Sequence, residues 1–210
     1  ESILFIRKSL MKRTQVLLFS ASISNKTIKQ ANTITYNPVI YELSKENKEL
    51  IPKTIKHIFI ISDRRERIET LRKIAKAVNS DKTMIFINTK YDLEESLQKL
   101  QYHNYNVAAL AGNIDKQSKK KAVEDFQNGR LQYLLATDVA ARGLQIDHVS
   151  TVINVNLPEE PTEYLHRAGR CGRNNEQGLC ISIITENELN KIKKYQKAFN
   201  INIVQKRLYN

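Results

Sequence analysis

The chain has 210 residues, 41% hydrophobic and 27% charged, a composition that supports a sizeable folded core and argues against disorder. Its formal charge of +12 favours polyanionic partners, yet the basic excess is spread along the chain with no basic tail, so charge alone names no site. No apolar run approaches the ~20 residues of a membrane-spanning helix, and the opening ESILFIRKSLMKR is too short in its apolar part for a signal peptide. The two cysteines, Cys171 and Cys180, lack the paired spacing of a zinc site. A cytoplasmic chain that binds no metal itself is expected. The start at Glu1 in place of methionine reads as part of something longer.

Residues 14–23, TQVLLFSASI, predict a short apolar strand ending in Ser20-Ala21-Ser22; a modest helix through Ile28 and a second strand-like run, NPVIYEL, follow. Residues 44–54, SKENKELIPKT, are polar, charged and broken by Pro52, as a linker would be. From Lys56 onward strand and helix patterns alternate. HIFIIS precedes a helix over 64–79, with Ile68, Leu71, Ile74 and Val78 on one face. Next come MIFINT, a helix carrying Leu93, Leu97 and Leu100, NVAALAG, a helix over 115–128, and the runs QYLLATD, VSTVINVN and LCISIIT. Thr185 and Glu188 form a capping-box pattern that opens the helix ENELNKIKKYQKAF. Such alternation predicts an α/β fold with a mostly parallel sheet covered on both faces. Two strands and a helix rarely fold alone, so residues 1–50 are expected to stay loosely packed or to borrow partners from another copy.

Two blocks within residues 136–173 carry the chemistry. The first, ATDVAARGL, follows the run QYLLA, at the strand end where ligands sit in open α/β sheets. The second, HRAGRCGR, sets Arg167, Arg170 and Arg173 three residues apart, with glycines that permit tight turns. Guanidinium groups in such a cluster suit phosphate oxygens, and a solvated basic turn is the plainer alternative. Asp115 is a credible N-cap, with Ala122, Val123 and Phe126 on the buried side of its helix. That phase puts Lys116, Lys119 and Lys120 in the first turns, where positive charge opposes the helix dipole. A bound phosphate would relieve that opposition, and a solvated lysine face is the alternative.

ATDVAARGL followed by YLHRAGRCGR resembles motifs V and VI of the DEAD-box RNA helicases. The resemblance covers nearly the whole chain, as the tail of a first RecA-like domain (residues 1–43, with Ser20 and Ser22 in motif III), a linker (44–54) and a second RecA-like domain (55–210). It implies a RecA-like fold and, for the complete protein, ATP-dependent unwinding of RNA that is single-stranded or in short duplexes, of no fixed sequence. ATP and Mg²⁺ would be held mainly by the first domain, because these residues contain neither GxxxxGK[ST] nor Asp-Glu-Ala-Asp. The chain alone should then be inactive, and its partner would be the N-terminal RecA-like domain of the same protein.

Residue by residue, the resemblance makes Arg170 and Arg173 the arginine fingers on ATP. Gln145 stands where the family usually has an Asp thought to meet the ribose. His166 and Arg167 would link the arginine segment to motif III and neighbouring strands. RNA contacts would come from Thr89 of motif IV, Gly112, Lys116, Gln117 and Lys119 of motif IVa, and Thr137 and Arg142 of motif V. Lys116 and Lys119 depart from the family's Gln-x-x-Arg and replace orienting side chains with point charges. Thr89 and Thr137 also suit helix caps. Two rivals are a RecA-like module that binds RNA or protein without turning over nucleotide, and a related helicase acting on DNA.

Overall fold

A computed structural model describes residues 2–11, 14–19, 25–41, 51–110, 114–144, 146, 148–172 and 176–208, without the side chains at 2–4 and 25–27. The chain divides into two compact units, Glu1–Lys48 and Glu49–Asn210. Ser20, Ser22, Gly112, Gln145 and Arg173 lie outside the described residues, as does most of the expected linker.

The first unit contains helices α1 (Ser2–Ser9) and α2 (Asn25–Ile34), and Arg7 Nε donates to the Ile34 carbonyl at 2.8 Å. Residues 14–19, the described part of the first expected strand, form no strand, and neither do residues 37–41 of the second. Leu17, Leu18, Phe19, Val39 and Tyr41 are exposed. A strand needs a neighbour to pair its backbone groups, and among the described residues of this unit no ladder is available.

The second unit follows the alternation read from its sequence. Its elements are β1 (Ile55–Ile61), a 3-10 turn leading into α3 (Arg67–Val78), β2 (Thr83–Phe86), α4 (Lys90–Tyr102), β3 (Val107–Leu110), α5 (Lys116–Gln127), β4 (Tyr133–Ala136), α6 (Asp138–Ala141), β5 (Thr151–Asn154), α7 (Pro161–Ala168), β6 (Gly178–Ile184), α8 (Leu189–Phe199) and β7 (Ile203–Gln205). The strands form one all-parallel sheet in the order β3-β4-β2-β5-β6-β1-β7. This is the RecA-like α/β fold.

Alternating side chains feed two cores. Met84, Phe86, Leu134, Ala136 and Val152 face Phe126 of α5, Leu165 of α7 and Tyr195 of α8 on one side. Ile85, Leu135 and Ile153 meet Leu71 and Ile74 of α3 and Leu93 and Leu100 of α4 on the other. Both faces of the central strands are therefore dry, which explains why these strands read as continuous apolar runs. The capping box at Thr185 and Glu188 forms as expected. The sequence patterns do not mark helix α7 or strand β7: α7 runs into the arginine block at His166, and β7 buries little beyond Ile203 while pairing with β1.

Candidate nucleotide and nucleic-acid interface

In a parallel sheet every strand ends on the same edge, and register fixes how those ends align. Phe86 of β2 and Leu110 of β3 both sit level with Ala136 of β4. Three adjacent strand ends thus span about 10 Å across the sheet. Thr89 follows β2, Thr137 follows the central strand β4, and α5 opens after β3.

Both threonines cap helices. Thr89 Oγ1 accepts the Asp92 N–H at 3.1 Å and Thr137 Oγ1 accepts the Ala140 N–H at 3.3 Å. A hydroxyl used this way keeps its own O–H for an outside acceptor. Asp115 caps α5, its Oδ1 accepting the N–H groups of Gln117 and Ser118 at 2.9 Å each. A hydrogen bond from the Ser118 side chain, together with those backbone bonds, holds its carboxyl below the usual carboxylate range. The seat that a phosphate would take at this helix N-terminus is therefore filled from within. What α5 offers an outside anion is the side chains of Lys116, Gln117 and Lys119.

The loop after β4 and helix α7 are joined by three arginines. Arg167 is buried and uses every donor it has: Nε and Nη2 meet the Asp138 carboxylate at 2.7 and 2.6 Å, Nη1 meets Asn154 Oδ1 at 3.2 Å and the Asn156 carbonyl at 2.7 Å, and Nη2 also meets Asn88 Oδ1 at 2.9 Å. Its Cζ lies 5.0 Å from the Phe86 ring centroid. Arg167 so gathers residues at or just past the ends of β2, β4 and β5. Arg170, half-buried just past α7, donates from Nη1 to the Leu144 carbonyl at 2.7 Å. The third link runs the other way, from Arg142 Nη2 to Glu163 Oε1 at 3.5 Å. His166 is exposed on α7.

Turn geometry around Arg170 rests on Gly172, whose φ of +66° is unfavourable for a side chain, and whose absent Cβ would lie 2.6 Å from Ile55 Cγ1. Behind α7 a buried polar chain continues. The Tyr164 hydroxyl lies 2.9 Å from His57 Nδ1, and Cys180 donates to the same hydroxyl at 3.7 Å. Burial pushes His57 down to about 4 and Cys180 up to about 11. Among the described residues no group of three or more His, Cys, Asp and Glu is placed to hold a metal ion, and no helix is long and apolar enough to cross a membrane.

With this geometry in view, the sequence profile of the helicase conserved C-terminal domain matches residues 66–175. Across 96% of the chain, it is 32% identical to the DEAD-box ATP-dependent RNA helicase CshC of Bacillus cereus. The chain belongs to the DEAD-box RNA helicases. A second member, the ATP-dependent RNA helicase DBP3 of Saccharomyces cerevisiae, is 34% identical over 87% of the chain. Among solved DEAD-box structures, S. cerevisiae Dbp5 bound to RNA and ADP BeF3 superposes with a TM-score of 0.87 at 29% identity, over 97% of this chain and 54% of that one. The C-terminal domain of Dbp5 gives a TM-score of 0.69 at 29% identity, over 73% of this chain and 91% of that one. The chain spans about half the length of the curated DEAD-box relatives it matches.

Four residues of this DEAD-box chain were not singled out from sequence: Asn88, Asp138, Asn154 and Glu163. Asp138 sits inside the ATDVAARGL block, and Asn154 interrupts an apolar run, which was the visible signal of a buried polar partner. Asn88 and Glu163 carry no local signal, because each matters only through an arginine remote in sequence.

Proposed function

We propose that this chain supplies the second RecA-like domain, and the tail of the first, of an ATP-dependent RNA helicase. Closure of two such domains on ATP and RNA bends the bound strand and separates short duplexes. The supporting observation is that one short loop touches the arginine segment twice, Arg142 meeting Glu163 of α7 and the Leu144 carbonyl accepting from Arg170; on this reading the loop would serve RNA through Arg142 and nucleotide through Arg170. A half-buried guanidinium held in this way suits a phosphate group, and Arg170 and Arg173 would stabilise charge on the transferred phosphoryl oxygens. ATP supplies the phosphoanhydride whose hydrolysis drives the cycle. Gln145 would accept a hydrogen bond from the ribose, and Mg²⁺ would be held by the other domain.

RNA is met by Thr89, Gly112, Lys116, Gln117, Lys119, Thr137 and Arg142, all at or following β3, β4 and β2. Contacts of these kinds address sugar and phosphate and carry no base sequence. Residues 1–43 would complete the first RecA-like domain and 44–54 connect the two; Ser20, Ser22 and His166 would couple them, while Arg167, its donors all taken by Asp138, Asn88, Asn154 and Asn156, holds the neighbouring strand ends. The 210 residues alone are inactive on this reading, for want of a phosphate-binding loop. The helicase works in the cytoplasm.

The test is ATP hydrolysis by the complete protein, with and without single-stranded RNA, for the native enzyme and Arg170→Ala. RNA-stimulated turnover should fall ~10³-fold or more in the variant. Turnover absent from both proteins, with RNA binding intact, would instead establish a RecA-like binding module.

A further inference from the structure

Arg142 stands at the C-terminal end of α6, immediately before Gly143, whose φ is +73°, and its side chain is 70% exposed. Its partner, Glu163, lies in the first turn of α7, where a carboxylate also suits the helix dipole. Their contact is a single one at 3.5 Å, much looser than the two-pronged pair at Arg167. A loose pair of this sort, with Arg142 exposed and Glu163 half-buried, contributes little to stability. A phosphate, with two free oxygens, can engage the same guanidinium through both prongs.

We infer that Glu163 is a positioning residue for RNA binding: its carboxylate holds Arg142 while the RNA track is empty and is displaced when a backbone phosphate arrives. The inference rests on the reading of Arg142 as an RNA contact. Glu163 is thus a built-in competitor that lowers RNA affinity most at low salt and flattens its salt dependence, because salt weakens the pair that must be displaced. It also makes RNA arrival felt at α7. The helix that loses its first-turn partner is the one that carries Arg167 and leads directly into Arg170, so the RNA contact and the nucleotide-side arginine share one short element.

A double-mutant cycle tests this in the complete protein, read by fluorescence anisotropy of a labelled single-stranded oligouridylate. Glu163→Gln should tighten binding by about 2- to 5-fold, as release of a weak ion pair allows. Arg142→Ala should weaken binding, and in that background Glu163→Gln should change nothing. Equal tightening in both backgrounds would reveal a general charge effect and overturn the inference, as would no tightening in either. Unchanged affinity in Arg142→Ala alone would overturn the RNA reading of Arg142, and the inference with it. Should Glu163→Gln lower the urea midpoint, Glu163→Asp takes its place. It keeps the charge but withdraws the carboxylate, so it should tighten binding only with Arg142 present.

Discussion

The Arg167 guanidinium grips the Asp138 carboxylate through two parallel bonds of 2.7 and 2.6 Å, although 29 residues separate them. Arg167 is 1% exposed, and its remaining donors are taken by two asparagine side chains and a backbone carbonyl. Such a group is stable inside a protein only because all of it is paired.

Removing the counter-charge should therefore be severe. Asp138→Asn is expected to destabilise the second unit by about 3 kcal/mol, since it leaves a buried cation without its anion. Asn88→Ala removes one neutral acceptor and should cost about 1 kcal/mol. Urea unfolding with an unchanged m-value would measure both. Equal effects from the two variants would mean that packing around Arg167 matters more than its charge pairing.

Acid should act through His57. Burial lowers its pKa from 6.5 to about 4, so the folded protein keeps the ring neutral while the unfolded chain takes up a proton near pH 6.5. Below that pH the unfolded state binds more protons, and stability falls as the pH drops from about 6.5 to about 4, by up to about 3 kcal/mol. Above about pH 7 the stabilisation is fully present. Urea midpoints at about pH 7.5 and about pH 5 should differ in the native chain and converge in His57→Gln. That variant starts lower because it loses the Tyr164 contact.

Helix α5 offers a test of where RNA meets positive charge. Lys116→Ala and Lys119→Ala should each weaken single-stranded RNA binding and flatten the dependence of log Kd on log salt by about 0.7. Asp115→Asn keeps an N-cap while removing a negative charge beside these lysines, so RNA affinity should rise with stability nearly unchanged. Asp115→Ala loses the cap and about 1 kcal/mol. Salt titrations of binding, paired with thermal melts, separate the two effects.

Gly172 is the turn on which the arginine segment depends. Gly172→Ala combines a left-handed backbone with a Cβ driven onto Ile55, and is expected to cost about 2 to 4 kcal/mol. Gly129 also has a positive φ, with open space around its missing Cβ, so Gly129→Ala should cost only about 1 kcal/mol. Differential scanning calorimetry of the two variants would isolate the steric part.

The sequence by itself determined the alternation of strands and helices from Lys56 onward, the caps at Asp115 and Thr185, and the motif blocks that mark a DEAD-box chain. These are local properties: a period of two or about 3.6, or a side chain bonding the backbone a few residues away, is complete within one short window. Only the tertiary structure decided the strand order, the level ends of β3, β4 and β2, and the burial of Arg167 among Asn88, Asp138 and Asn154. It also left residues 14–19 without a strand where the apolar pattern predicts one, because a pattern states which face wants burial and not what lies across from it. Pairing of groups as distant as His57 and Tyr164, 107 residues apart, is settled when crossovers bring strands side by side.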